Sequence, residues 1–63
     1  MRLLTKKVVS DRINYSGNHI DRMEADGRFP KRRKLGPNRV GWLETEVDDW
    51  ISERVRERER ETA

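Results

Sequence analysis

The chain of 63 residues contains no cysteine, so neither a disulfide nor a thiolate metal site can supplement its hydrophobic core. Its single histidine, His19, cannot form a metal site of the usual nitrogen and sulfur type with neighbouring ligands. No run of about 20 apolar residues is present, which excludes a membrane-spanning helix. Residues 1–4 are too short for the apolar region of a signal peptide. We therefore expect a cytoplasmic protein with no metal, no cofactor and no membrane partner.

Apolar residues are also scarce, at 32% of the chain against 43% charged residues. A chain of this length buries only about 60% of the surface that its unfolded form exposes, so it can form one small domain with a thin core. The composition lies near that of disordered proteins. The apolar residues are nevertheless regularly spaced, which favours a folded domain. Because Trp42 and Trp50 each lie on an apolar stripe, we expect both in the core.

The net charge is +3, but the two signs are separated along the chain. Residues 1–42 contain 11 Lys and Arg against 4 Asp and Glu, whereas residues 43–63 contain 4 Arg against 8 acidic residues. This division predicts a basic body that binds a polyanion, and an acidic C-terminal helix that is turned away from it.

Two short helices are predicted in the first half. Thr5 is a good N-cap for a helix over residues 6–13, because its hydroxyl can accept a hydrogen bond from a free amide of the first turn. Ser16 is the candidate N-cap of a second helix over residues 17–26, and Gly27 can end that helix in the left-handed conformation. Two short helices joined by three or four residues are typical of a helix-turn-helix.

A β-hairpin is predicted after the second helix. Gly36-Pro37-Asn38 is typical of a turn between two short extended segments. We expect Leu35, Val40 and Trp42 to contribute to the core, while the lysine and arginine side chains of the hairpin remain in water.

The third helix begins near Leu43 and Glu44. Its first turns are acidic, which the helix dipole favours, and an amphipathic stripe follows. Beyond Val55 there is no apolar residue to pack, so residues 56–63 are predicted to be a frayed charged tail and residues 1–55 a single domain. The predicted fold is mainly α with a small β-hairpin: a winged helix-turn-helix of three helices and a two-stranded wing. The residues of the stripe are Val47, Trp50, Ile51 and Val55.

Two groups of residues are candidates for DNA binding. Asn and Arg side chains on a recognition helix pair with adenine and guanine edges in the major groove. The hairpin directs five cations to one small region, where they would bind phosphates and make affinity salt-sensitive. An ordinary polar helix face and a merely solvated hairpin are the alternatives. The predicted DNA-binding residues are Ser16, Gly17, Asn18, His19, Asp21 and Arg22 in the second helix, and Lys31, Arg32, Arg33, Lys34, Asn38 and Arg39 in the wing.

No residue pattern supports an enzyme. His19 has no Ser, Asp or Cys partner placed to form a relay with it. Asp48 and Asp49 are explained by the dipole of the third helix, and Gly36 and Gly41 lie in no phosphate-binding loop that opens a helix. We predict no catalytic, cofactor-binding or metal-binding residues.

Several short motifs occur along the chain in an order that is characteristic of a known family. They are Leu4-Thr5-Lys6-Lys7 with Val9, Tyr15-Ser16, Gly27-Arg28-Phe29-Pro30, Leu35-Gly36 with Val40-Gly41-Trp42, and Glu46-Val47-Asp48-Asp49-Trp50-Ile51. Over residues 3–55 this order resembles the AlpA family of prophage-encoded regulators, which is similar to the excisionases and to the winged-helix domain of MerR-type regulators. By position, the resemblance makes residues 17–26 the recognition helix and residues 31–39 the wing.

The resemblance implies a sequence-specific DNA-binding transcriptional regulator of a prophage or genomic island. Its recognition helix would enter the major groove of double-stranded DNA, and its basic wing would bind the backbone or the minor groove. Such a protein would be associated with the nucleoid. Because so small a chain offers few base contacts, we expect copies of it to bind tandem sites cooperatively.

Two alternatives remain open. The chain could be an excisionase, or recombination directionality factor, that acts at attachment sites, with an integrase as a further partner. It could instead be a protein-interaction module, similar to an antitoxin or an anti-repressor, that uses its acidic C-terminal helix.

Overall fold

The computed structural model describes residues 2–62 and confirms the predicted fold class. Three helices surround a small antiparallel sheet with the strand order β1-β3-β2. The hairpin formed by β2 and β3 is called the wing below. The sequence did not predict β1, whose two residues extend the two-stranded wing to three strands. The elements are β1 (Leu3–Leu4), α1 (Lys6–Ile13), α2 (Gly17–Ala25), β2 (Arg33–Gly36), β3 (Arg39–Leu43) and α3 (Glu44–Thr62).

The predicted caps define α1 and the start of α2. The Thr5 hydroxyl accepts a hydrogen bond from the Val8 amide at 3.3 Å, and the Ser16 hydroxyl accepts one from the His19 amide at 3.2 Å. Asn14 ends α1 in the left-handed conformation, with φ 59°. These local interactions set the turn between α1 and α2, which form the helix-turn-helix.

The end of α2 is a Schellman motif. The Gly27 amide donates to the Glu24 carbonyl at 3.1 Å, and the Arg28 amide donates to the Met23 carbonyl at 2.8 Å. Gly27 adopts φ 75°, which a residue without a side chain tolerates best. Asp26 is the C-cap, so α2 ends one residue before the predicted boundary.

The core draws side chains from every element except β2. Phe29, in the connector between α2 and β2, packs edge-on against Trp42 and Trp50, at ring-centroid distances of 6.2 and 5.0 Å. Trp42 is fully buried, whereas Trp50 is partly buried against the core. The buried residues are Leu4, Val9, Ile20, Met23, Phe29, Trp42 and Val47.

The prediction that Leu35 and Val40 of the wing contribute to the core is wrong. Leu35 is 68% exposed and Val40 is 45% exposed. An irregularity in the pairing between Lys34 and Gly36 leaves Leu35 without a partner on β3. Val40 shares a face with Trp42 because side chains alternate along a strand, but it lies two residues nearer the turn, where the wing extends beyond the helices.

The last helix is longer than its apolar stripe. It continues to Thr62, and Val55, the last residue of the stripe, is 53% exposed. The fraying of residues 56–63 and the domain boundary at residue 55 therefore stay predictions. None of the helices described within residues 2–62 is long and apolar enough to cross a membrane.

Candidate nucleic-acid interface

The outer face of α2 carries two polar side chains that the fold does not use. Ile20 and Met23 point into the core, so helical geometry places Asn18 and Arg22 on the opposite face, one turn apart. Both are exposed, and neither side chain makes a hydrogen bond or ion pair within the described residues 2–62. Their donors and acceptors are free to meet an external partner.

The other predicted residues of α2 already make contacts within the protein. Ser16 caps the helix. A side chain at Gly17 would approach the Lys6 side chain to 2.9 Å, so Gly17 lies beneath α1. His19 is half-buried and stacks on Tyr15, with ring centroids 4.4 Å apart. These three residues do not share the open face of Asn18 and Arg22, and their predicted role in DNA binding stays a prediction.

Asp21, which we predicted as a DNA-binding residue, lies in an ion-pair network. Its carboxylate accepts hydrogen bonds from Lys6 Nζ at 3.0 Å and from Arg32 Nη2 at 2.6 Å. These two bonds, led by that from Lys6, hold the pKa of Asp21 below its ordinary value. The carboxylate joins α1, α2 and the connector just before the wing, because one donor lies in α1 and the other in the connector.

Arg32 departs from the expectation that the basic side chains of the hairpin stay in water. It is half-buried, and its guanidinium carbon lies 4.8 Å from the centre of the Trp42 ring. Its Nε donates to both oxygens of Glu24 at 3.0 and 3.1 Å, and its backbone amide donates to Glu24 Oε2 at 2.6 Å.

The contacts of Arg32 also set the charge states of the groups around it. Burial raises the pKa of Glu24, but the hydrogen bonds from Arg32 outweigh that effect and leave the pKa below its ordinary value. Hydrogen bonds to Glu24 and then to Asp21 raise the pKa of Arg32 in turn. All three groups are therefore held in their charged forms.

Arg33 makes a different ion pair, with α3. Its Nη2 lies 3.0 Å from Glu46 Oε2. The hydrogen bond to Glu46 raises the pKa of Arg33. The sequence prediction missed both sets of ion pairs, although the alternation of side chains along a strand indicates that neighbouring arginines point to opposite faces.

Arg12 is a further arginine that binds the acidic start of α3. It donates to Glu44 Oε2 at 2.7 Å and to Asp48 Oδ1 at 3.0 Å. The acidic residues of α3 thus fix α1 and the wing to this helix, in addition to their favourable position near its N-terminus.

The remaining basic residues of the hairpin region are available. Lys31, Lys34 and Arg39 are exposed, and within the part of the chain that the structure describes none of them has an ion-pair partner. Asn38 lies at the turn and is also exposed. Chemically, this surface offers positive charge and hydrogen-bond donors, which suit an anionic partner such as a phosphate backbone.

Comparison with known proteins gives the family. Residues 2–62 match the family model described as prophage CP4-57 regulatory protein (AlpA). The chain belongs to the AlpA family. It is similar to the DNA-binding transcriptional activator AlpA of Escherichia coli (strain K12), with 52% identity over 31 residues. That match covers 49% of the chain and 44% of the relative, so the chain spans less than half of that AlpA protein. No solved structure matches.

The AlpA match confirms the resemblance that the sequence motifs indicated. The family model extends from residue 2 to residue 62 and so includes both the helix-turn-helix and the wing. Both AlpA matches are to regulatory proteins, in agreement with the prediction that the chain is not an enzyme.

Proposed function

We propose that the chain is a sequence-specific DNA-binding transcriptional regulator of a prophage or genomic island. In this proposal α2 enters the major groove, and the wing binds the adjacent backbone or minor groove. The observation that carries it is the set of polar side chains left without partners among the described residues. They lie on the outer face of α2 and along the hairpin: Asn18, Arg22, Lys31, Lys34 and Arg39. The E. coli relative is named as a DNA-binding transcriptional activator, which supports the same conclusion.

Sequence would be read by Asn18 and Arg22. An Asn side chain can pair with the N6 and N7 edge of adenine, and an Arg side chain with the O6 and N7 edge of guanine. Replacing either residue by Ala should cost about 1–3 kcal/mol of binding free energy for the preferred site and much less for other DNA.

The wing would supply affinity through phosphate contacts. Each neutralised phosphate changes the slope of log K against log salt concentration by about −0.9. With Lys31, Lys34 and Arg39 bound to phosphates, these three residues together contribute a slope of about −3. Lys34→Ala should make the salt slope shallower by the equivalent of about one phosphate contact. Arg56→Ala removes the same charge from the far part of α3 and should leave the slope unchanged.

Titration of DNA fragments with the purified protein at several salt concentrations tests the proposal. We expect a preferred fragment among those taken from the control regions that flank the gene for this chain. Equal affinity for all fragments, together with a shallow salt slope, would contradict it.

Cooperative binding is a further part of the proposal. A single recognition helix with two free reading residues specifies few base pairs, so tandem sites would raise specificity through multivalency. A fragment with two sites should bind more steeply with protein concentration than a fragment with one site. Identical binding curves for the two fragments would contradict cooperative binding and indicate that each copy of the chain binds its site independently.

The same DNA-binding surface would serve transcription activation or excision. We place activation first because the E. coli relative is a transcriptional activator. A promoter reporter should respond to the chain if it activates transcription. If the chain acts in excision with an integrase, excised circles should instead accumulate without a change in the reporter.

A further inference from the structure

We propose that Arg32 is a positioning residue that clamps the wing to α2 and so fixes the distance between the recognition helix and the wing. This inference rests on the proposed DNA-binding function. The sequence pattern places Arg32 among the phosphate-binding cations, but its contacts are directed into the protein.

The wing needs such a clamp because its outer strand has no buried side chain. Every residue of β2 is exposed except Gly36, which is half-buried. The apolar residues near its turn, Leu35 and Val40, are exposed as well. Burial of Trp42 holds β3 in the core, but no buried side chain holds β2 against α2, so polar contacts must fix the position of that strand.

The connector from α2 to β2 is held at every second residue. The Trp50 indole donates to the Arg28 carbonyl at 2.8 Å, and the Trp42 indole donates to the Pro30 carbonyl at 2.8 Å. The third contact is the hydrogen bond from the Arg32 amide to the Glu24 carboxylate, at 2.6 Å. Of the three, this contact is the one that reaches α2.

The side chain of Arg32 strengthens the same connection. Its Nε bonds Glu24, its Nη2 bonds Asp21 at 2.6 Å, and its guanidinium lies over Trp42. Hydrogen bonds between charged partners are roughly twice as strong as neutral ones. A phosphate would have to replace both carboxylates, which would themselves repel it.

A clamp and a phosphate contact have different consequences for binding. A specific complex requires α2 and the wing to engage DNA together, so its affinity depends on their relative position. Non-specific binding depends mainly on charge. Loss of the clamp should therefore lower the ratio of specific to non-specific affinity, whether the positive charge of Arg32 or the negative charge of Glu24 is removed.

Two substitutions with opposite charge effects separate these cases. Arg32→Ala removes a positive charge, and Glu24→Ala removes a negative charge from the same ion pair. The matched controls are Arg56→Ala and Glu53→Ala, which remove the same charges from an exposed ion pair on α3. Affinity for the preferred fragment and for an unrelated fragment is measured for all four variants.

If Arg32 is a clamp, both variants of the first pair lower the specificity ratio by roughly tenfold, and both controls leave it unchanged. If Arg32 instead contacts a phosphate, Glu24→Ala frees it and strengthens binding to both fragments at an unchanged ratio. In that case Arg32→Ala weakens binding to both fragments and makes the salt slope shallower by the equivalent of about one phosphate contact. That second pattern would overturn the inference.

A measurement without DNA separates this inference from the proposed function. In Glu24→Ala, we expect faster hydrogen exchange at the Arg32 amide and along β2, with the amides of α1 unchanged. Unchanged exchange along β2 would overturn the clamp even if the wild-type protein binds DNA specifically. The opposite result is also informative. If exchange is faster in Glu24→Ala but the wild-type protein prefers no DNA fragment, the proposed function is overturned and the clamp stands.

Discussion

The close approach of β1 to β3 can be tested at Gly41. A Cβ atom at this position would lie 2.5 Å from the Leu4 carbonyl oxygen, 3.2 Å from the Leu4 carbonyl carbon and 3.5 Å from Leu3 Cβ. The nearest atoms belong to the backbone, so no side-chain rotation can relieve the clash. Gly41→Ala must therefore displace β1 or bend β3.

The cost follows from what β1 contributes. Leu4 is 2% exposed and packs in a core that contains seven buried residues within the described part of the chain. Overpacking costs about 1–3 kcal/mol, and partial exposure of a buried Leu adds up to about 1.5–3 kcal/mol. We expect Gly41→Ala to lower the free energy of unfolding by about 2–4 kcal/mol. For a domain of this size, that corresponds to a decrease in Tm of roughly 10–25 °C.

Urea unfolding followed by tryptophan fluorescence measures this change, because Trp42 lies in the affected core. Gly36→Ala is the matched control, since a Cβ at that position meets no atom within 4 Å. We expect the control to change the unfolding free energy by less than about 0.5 kcal/mol. Equal stability of Gly41→Ala and the wild type would refute the argument that β1 is closely packed on β3.

Three further predictions concern the caps, the indoles and the ion pairs. Gly27→Ala should cost about 1–2 kcal/mol in urea unfolding, because φ 75° strains a residue with a side chain; no change would contradict this. Trp42→Phe should lower the Tm more than Trp50→Phe, because both lose an indole hydrogen bond but only Trp42 is fully buried; the reverse order would count against it. The lowered pKa values of Asp21 and Glu24 mean that their contribution to stability is present above their ordinary values of 3.8 and 4.5. This contribution is lost as the pH falls through the lower folded-state values, so Glu24→Ala should show a flatter loss of stability in acid.

The helices could be predicted from the sequence because their determinants are local. Thr5 and Ser16 each cap a helix by a bond to an amide three residues ahead. Asn14 and Gly27 adopt positive φ where the sequence indicates that helices end. Each of these features depends on a residue and its near neighbours, which a single sequence contains in full.

The sheet depends on contacts between distant parts of the chain, and these were harder to predict. The two residues of β1 become a strand because Leu3 pairs with Leu43 and Leu4 with Trp42. Two apolar residues carry no alternation of their own from which a strand could be inferred. Leu35 was assigned to the core for a related reason: an apolar residue in a hairpin does not reveal where the hairpin leaves the helices.

The charge cluster of the hairpin region could be predicted from the sequence, but the ion pairs that its arginines form could not. Five cations in the hairpin region suggested one phosphate-binding cluster. Side chains alternate along an extended chain, and the carboxylates on the two flanking helices divide the cluster accordingly. Arg32 turns toward Asp21 and Glu24 of α2, and Arg33 turns toward Glu46 of α3.

This division gives the basic residues two complementary tasks. The arginines at the base of the wing are matched by carboxylates of α2 and α3, so the wing is braced from both sides even though β2 buries no side chain. Of the hairpin-region cations that have no ion-pair partner within residues 2–62, Lys34 and Arg39 lie beside the turn and Lys31 lies before β2. Positive charge that neutralises an internal carboxylate contributes little to attraction for a polyanion. The positive surface available to an external anion is therefore smaller than a count of lysines and arginines indicates.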